Sequence, residues 1–225
     1  YDLQSDPDEI HNLAGEPEHQ ATLGRLREAQ QDFARQTIDL GFLPEGERFT
    51  RASGESPFDM ARRGDAVYPF DRVFATAELA SLLDPQAVPE LKTALSDSDS
   101  AVRYWGAMGL LMRGEPGFQA GAAELKRALS DPSSYVQIVV AQALVSFGSA
   151  DEAAAGLERL IALADWDAHD EFVVLAALNA IDALGDKASP LREQIARLPT
   201  KGKVPDPRYN PDVPKLLRHL KASLN

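Results

Sequence analysis

Apolar positions along this chain fall three and four residues apart, the spacing of one helical face, and the pattern itself repeats. Glu90-Leu91-Lys92-Thr93-Ala94-Leu95-Ser96-Asp97 returns 34 residues later as Glu124-Leu125-Lys126-Arg127-Ala128-Leu129-Ser130-Asp131. The same offset carries Val102 to Val136, Ala107 to Ala141, Leu110 to Leu144 and Gly114 to Gly148. A third copy, with a longer internal loop, takes Val136, Ala143, Leu144 and Gly148 to Val173, Ala180, Ile181 and Gly185 at an offset of 37, and its first helix is read over 156–163. A degenerate leading copy runs over 73–83 and closes at Asp84-Pro85. Each unit predicts two helices. The first carries Leu91, Ala94 and Leu95 on one face and stops at a run of serines and aspartates, 96–100 or 130–134, whose oxygens can cap the helix that follows. The second, with Val102, Tyr104, Trp105, Ala107, Met108, Leu110 and Leu111, is apolar nearly all round and so requires burial on several sides. Gly114, Gly148 and Gly185 stand where a left-handed residue commonly ends a helix.

A single hairpin of this kind cannot bury its apolar faces, so stacked copies must share one core. The expected fold class is therefore all-α, an α-α superhelix, preceded by a short extended segment and one long helix. Over residues 71–198 the apolar ladder, the acidic turn between helices and the Val102-Arg103 pair resemble HEAT repeats, although the second copy has Gln137 where the first has Arg103. Such α-solenoids carry many unrelated partners, so the fold alone assigns no chemistry.

The two ends depart from the repeat. Residues 199–225 read as a basic loop and a capping helix: Leu198-Pro199 to Pro211 is rich in Pro, Lys and Asp, and Val213–Leu220 is short and amphipathic. Residues 186–225 carry a net charge of +5 against −17 for the preceding 185. A polar cap on the array explains that helix, and a basic site for an anionic partner is the alternative. At the other end, residues 1–14 read as an extended piece and two acidic turns. A helix from about Pro17 to Ile38 follows, with Leu23, Leu26, Phe33 and Ile38 as its buried stripe.

The string Tyr1-Asp2-Leu3, Asp6-Pro7, Glu9, Asn12-Leu13-Ala14, followed by a long polar helix, resembles the C-terminal end of the sulfatase family. Asp39-Leu40-Gly41-Phe42-Leu43-Pro44-Glu45 and then Ser56-Pro57-Phe58-Asp59-Met60-Ala61-Arg62 are similar to the linker of bacterial sulfatases that carry a HEAT-like tail. The resemblance divides the chain into 1–45, the end of a sulfatase-type subdomain; 46–70, a linker; 71–198, the repeats; and 199–225, the cap. It implies a catalytic domain upstream in the same polypeptide, using formylglycine and calcium, and an exported, periplasmic setting. None of that machinery maps here. The family's Cys/Ser-x-Pro-x-Arg signature is absent, since Ser5-Asp6-Pro7-Asp8-Glu9 and Ser130-Asp131-Pro132-Ser133-Ser134 both lack the arginine.

Composition narrows the remaining classes. The 225 residues include 34 alanines and no cysteine, which removes disulfides, thiolate zinc and a cysteine nucleophile. A net charge of −12 argues against phosphate-backbone binding, and no apolar run approaches the ~18 residues of a membrane span. Among possible sites, Asp165, Asp167 and Asp170 offer oxygen ligands for calcium. An EF-hand-like loop would also need a glycine and a distant glutamate, so an inter-helix turn with Asp170 and Glu171 at a helix N-terminus fits better. His11, His19, His169 and His219 lack the i, i+4 spacing of a zinc pair. Of the two tryptophans, Trp166 on its acidic loop is the more exposed candidate for stacking a sugar, although a structural role fits it better, and core packing is expected for Trp105.

Two readings follow. One is a non-catalytic repeat tail of a sulfatase, serving docking, oligomerisation or substrate-rim contacts, with a protein or glycan on the solenoid. The other is a free-standing repeat adaptor binding a protein on its concave face. The first leaves Leu23, Leu26 and Phe33 partly uncovered; the second packs all three within the chain.

Overall fold

The computed structural model describes residues 1–202 and 211–224, and every regular element among them is helical. The chain forms two compact units, Tyr1–Leu40 and Gly41–Asn225.

In the first unit the expected extended piece is a series of turns. The Asp2 carboxylate accepts bonds from the Gln4 amide (3.0 Å) and the Ser5 hydroxyl (2.9 Å), and Asp6 accepts from the amides of Ile10 (3.1 Å) and His11 (2.8 Å). Such local side-chain bonds compete with strand formation. Two short 3-10 segments, Leu13–Gly15 and Pro17–His19, lead into α1 (Gln20–Thr37), which ends on Ile38 in the left-handed region (φ 50°). The expected buried stripe is covered only in part: Leu26 is 59% and Phe33 65% exposed, whereas Leu23 and Ile38 are half-buried and Ala34 is buried.

In the second unit, the stretch read as a linker holds two helices, α2 (Glu45–Ala52) and α3 (Pro57–Ala61). Then come α4 (Phe70–Ser81), α5 (Val88–Ala94), α6 (Ser100–Met112), α7 (Gly114–Ala128), α8 (Ser134–Phe147), α9 (Ala150–Leu163) and α10 (Glu171–Leu184). α11 (Arg192–Arg197) and α12 (Asp212–Ser223) close the unit. The expected basic loop falls largely on 203–210, outside the described residues. Neighbours in sequence pair as hairpins, α5 with α6, α7 with α8 and α9 with α10. Second helices also pack on second helices, α6 on α8 and α8 on α10, and α12 packs on α10 and α11 through Val213, Leu217 and Leu220. α8 is buried over most of its circumference, with Tyr135, Val136, Ile138, Val139, Val140, Ala141, Ala143, Leu144 and Val145 all buried.

Short acidic and hydroxyl side chains set the helix starts, as the spacing predicts. Asp99 accepts from the amides of Ala101 and Val102, and Asp170 from those of Phe172 and Val173. Ser149 and Glu152 form a reciprocal capping box that starts α9 at Ala150, six residues before the expected position. Arginines tie one repeat to the next: Arg72 meets Asp97 at 2.6 Å, and Arg103 grips Asp131 with two bonds of 2.7 and 2.8 Å. Gln137, at the position equivalent to Arg103, bonds instead to the Asp131 carbonyl of its own turn.

α2 is fastened by a partly buried ion cluster. Arg51 donates to Glu47 (2.6 Å), to Asp99 (2.8 Å), to the Ser100 hydroxyl (3.0 Å) and to the Val67 carbonyl (2.9 Å). Burial pushes the Asp99 carboxyl up, but the bond and charge of Arg51 outweigh it and hold the group below its ordinary range. Removing one partner of such a cluster strands the other charges, which is why it orders the segment firmly.

Gly148 corrects an expectation: its backbone is extended (φ −80°), not left-handed. Its small size is needed because a Cβ would lie 2.6 Å from the Leu144 carbonyl oxygen. Gly156 lets α9 approach α8, and a Cβ there would lie 2.7 Å from the Ala141 carbonyl oxygen. Alanine gains about 1 kcal/mol over glycine in an open helix. Gly156→Ala should nonetheless lower the urea midpoint, because a backbone atom must move to admit the methyl. A raised midpoint would contradict this packing.

Candidate functional site

The repeat register explains a broad concavity of the second unit. Three second helices each present one face at i, i+3, i+4 and i+7. These are Tyr104 and Met108 from α6, Tyr135, Ile138, Val139 and Gln142 from α8, and Phe172, Leu175, Ala176 and Asn179 from α10. Offsets of 34 and 37 make Tyr104, Ile138 and Leu175 one row, and Met108, Gln142 and Asn179 another. The groove between them holds about 770 Å³, walled by Pro44 and Glu45 beside the N-terminal ends of α8 and α10 and by Asp212, Lys215, Leu216 and His219 of α12. The floor is apolar: Ile138 and Val139 are buried, with Leu175 and Ala176 half-buried.

The two long sides differ chemically. Along the C-terminal side, the carboxamides of Gln142 and Asn179 have no hydrogen-bond partner among the described residues, leaving two donors and an acceptor each. Along the N-terminal side lie carboxylates. Glu45 is exposed and has no ion pair among the described residues. Asp212 has only a 3.5 Å contact to Lys215, exposed on the same helix. Beneath them Glu171 is 0% exposed, with neither carboxylate oxygen bonded. Burial, then the charges of Asp212 and Asp170, push its carboxyl up to about 7. The Tyr135 phenol is likewise raised, by burial first and then by Asp170 and Glu47.

The residues singled out from sequence are scattered. Asp165 accepts from the Asp167 amide (3.0 Å), and Asp170 caps α10, so both carboxylates serve the turn. With Asp167 they form no group able to hold a metal ion among the described residues. Trp166, expected to be the more exposed of the two tryptophans, is buried, whereas Trp105 packs against the core as expected. Trp166 is 3% exposed and belongs to the core with Leu160, Leu163 and Val173, and Gly202 lies against its ring. Trp105 is half-buried, with its indole N–H donating to the Phe42 carbonyl at 2.8 Å. His11 and His19 sit in the N-terminal unit, His169 in the acidic turn and His219 at the groove wall, 3.1 Å from Asp182. No helix among the described residues is long and apolar enough to cross a membrane.

Compared with family models, curated proteins and solved structures, the chain gives no match.

Glu171 yields a signed pH effect. An unfolded glutamate titrates near its ordinary value of about 4.3, whereas the folded one keeps its proton to about 7. Its favourable contribution is whole below the unfolded value, fades as pH rises from there, and is gone above 7, a change of about 3 kcal/mol. Glu171→Gln should therefore flatten the fall in urea midpoint between pH 5 and pH 8. Equal slopes for the two proteins would show that this carboxyl is not a buried acid.

Proposed function

We propose that this chain is a non-catalytic, HEAT-like α-solenoid tail of a sulfatase-type enzyme, with α1 docking on the catalytic domain and the groove contacting a partner or the substrate rim. The observation that carries this reading is the partly uncovered apolar face of α1. Leu26 and Phe33 are more than half exposed, as are Leu3 and Ile10 in the preceding turns. A unit of 40 residues whose one buried side chain in α1 is Ala34 has too little core to hold itself together. A free-standing adaptor would be expected to bury those positions. The stacking of second helix on second helix supports the repeat assignment, and the Tyr1–Ala14 string supports the link to sulfatases. Any sulfate-ester hydrolysis would then belong to the catalytic domain, with its formylglycine and calcium.

The test is the native polypeptide. An antibody to this sequence should detect, in an extract of the source organism, a species far heavier than 24.4 kDa that cleaves an aryl sulfate. The isolated chain should fold as a helical protein without that activity. A native chain of about 24.4 kDa, or hydrolysis by the isolated chain, would overturn the proposal.

A further inference from the structure

The groove has a chemistry that selects its occupant, whatever α1 docks on. Two carboxamides at equivalent positions of adjacent repeats, Gln142 and Asn179, face it without hydrogen-bond partners among the described residues. Side-chain amides in that condition match a peptide backbone, which offers a donor and an acceptor at each residue. Packed helices lie about 8–10 Å apart, and three residues of extended chain span about 10 Å. Three residues of polyproline II chain make one full turn in about 9 Å. An extended segment of that kind crossing the helices therefore returns the same backbone face to each carboxamide, which a β-strand, alternating with period two, does not. A helical occupant would not, because its backbone groups are already paired.

Between the amide row and the acidic row lies the apolar floor of Ile138, Val139, Leu175 and Ala176, about the width of one or two side chains. Across it stand Glu45 and Asp212, with Asp170 and the buried Glu171 close behind. Lys215, exposed beside Asp212, offsets one of these charges, and His219 is turned to Asp182. Burial raises the Tyr135 phenol and the Glu171 carboxyl first, and the neighbouring carboxylates raise both further. An anionic segment would meet the unpaired Glu45 and the partly offset Asp212 there, whereas a lysine or arginine would find its counter-charge.

We infer that the groove binds an extended peptide segment in which a lysine or arginine is flanked by apolar residues. Its backbone bonds to Gln142 and Asn179, its apolar side chains lie on the floor, and its cation faces Glu45 and Asp212.

The test is a selection from a display library of random dodecapeptides on the intact 225-residue chain, followed by fluorescence polarisation with the labelled winners. Winners should carry a basic residue between apolar ones and lack helical i, i+3, i+4 patterning. Gln142→Ala with Asn179→Ala should weaken them about tenfold, as expected for the loss of two hydrogen bonds. Glu45→Lys should weaken them several-fold, and less so at high salt. All three positions are at least partly exposed, so unchanged circular dichroism and urea midpoints serve as the folding control. Backbone N-methylation of the winning peptide should abolish binding while leaving its charge intact. Failure to enrich any peptide, enrichment of acidic or helix-patterned ones, or winners indifferent to the carboxamide variants would overturn the inference.

Discussion

Everything in the second unit rests on one constraint: α8 is apolar nearly all round, and the one strip it leaves open, with Gln142, lies in the groove. Nine of its side chains are buried, so the helix has no stable place except between neighbours. α7 and α9 cover it from its own side of the stack, and α6 and α10 from the repeats before and after. Burial of each such aliphatic side chain is worth about 1.5–3 kcal/mol, and none of that is realised by an isolated hairpin. The arginine links at the turns, Arg72 to Asp97 and Arg103 to Asp131, then fix how one hairpin sits on the next. The chain of links stops at Gln137, where the third turn is longer and its aspartates serve the turn and the cap of α10 instead.

The groove is a by-product of the same geometry. Each second helix buries most of its surface and leaves one strip over, and because the helices repeat, the strips align. What makes this strip a site is supplied from outside the repeats. Pro44 and Glu45 arrive with α2, which Arg51 clamps against the turns at Asp99 and Ser100. The far wall comes from α12, whose Val213, Leu217 and Leu220 anchor it to the last repeat. Acidic residues thereby collect at the N-terminal ends of α10 and α12. Helix dipoles favour charge there, and desolvation keeps Glu171 protonated into the neutral range.

Much of the fold was legible in the sequence, because a 34-residue echo and a 3.6-residue period are both local signals. Helix starts could be read to within a residue or two where Asp99 and Asp170 supply the caps. The misreadings lie elsewhere. Trp166 sits among aspartates, and local polarity said nothing of the core brought over it by distant residues such as Gly202. Residues 46–70 read as a linker from a resemblance carried by 39–45 and 56–62, yet Glu47 and Arg51 hold α2 by an ion cluster whose other half is some fifty residues away. Tyr1–Asp6 looked extended, but its aspartates bond their own backbone. The groove rows could be counted off the repeat register. Which face stays open could not, since that depends on where α2 and α12 pack.

The central claim is that stability is shared through the stack and is not available to α1, whose apolar face is partly uncovered. Hydrogen exchange on the isolated chain, read by mass spectrometry, tests it most directly. The account predicts that amides of α8 exchange slowest, near the rate of global unfolding, and that those of α1 exchange orders of magnitude faster. Protection of α1 equal to that of α8 would contradict it.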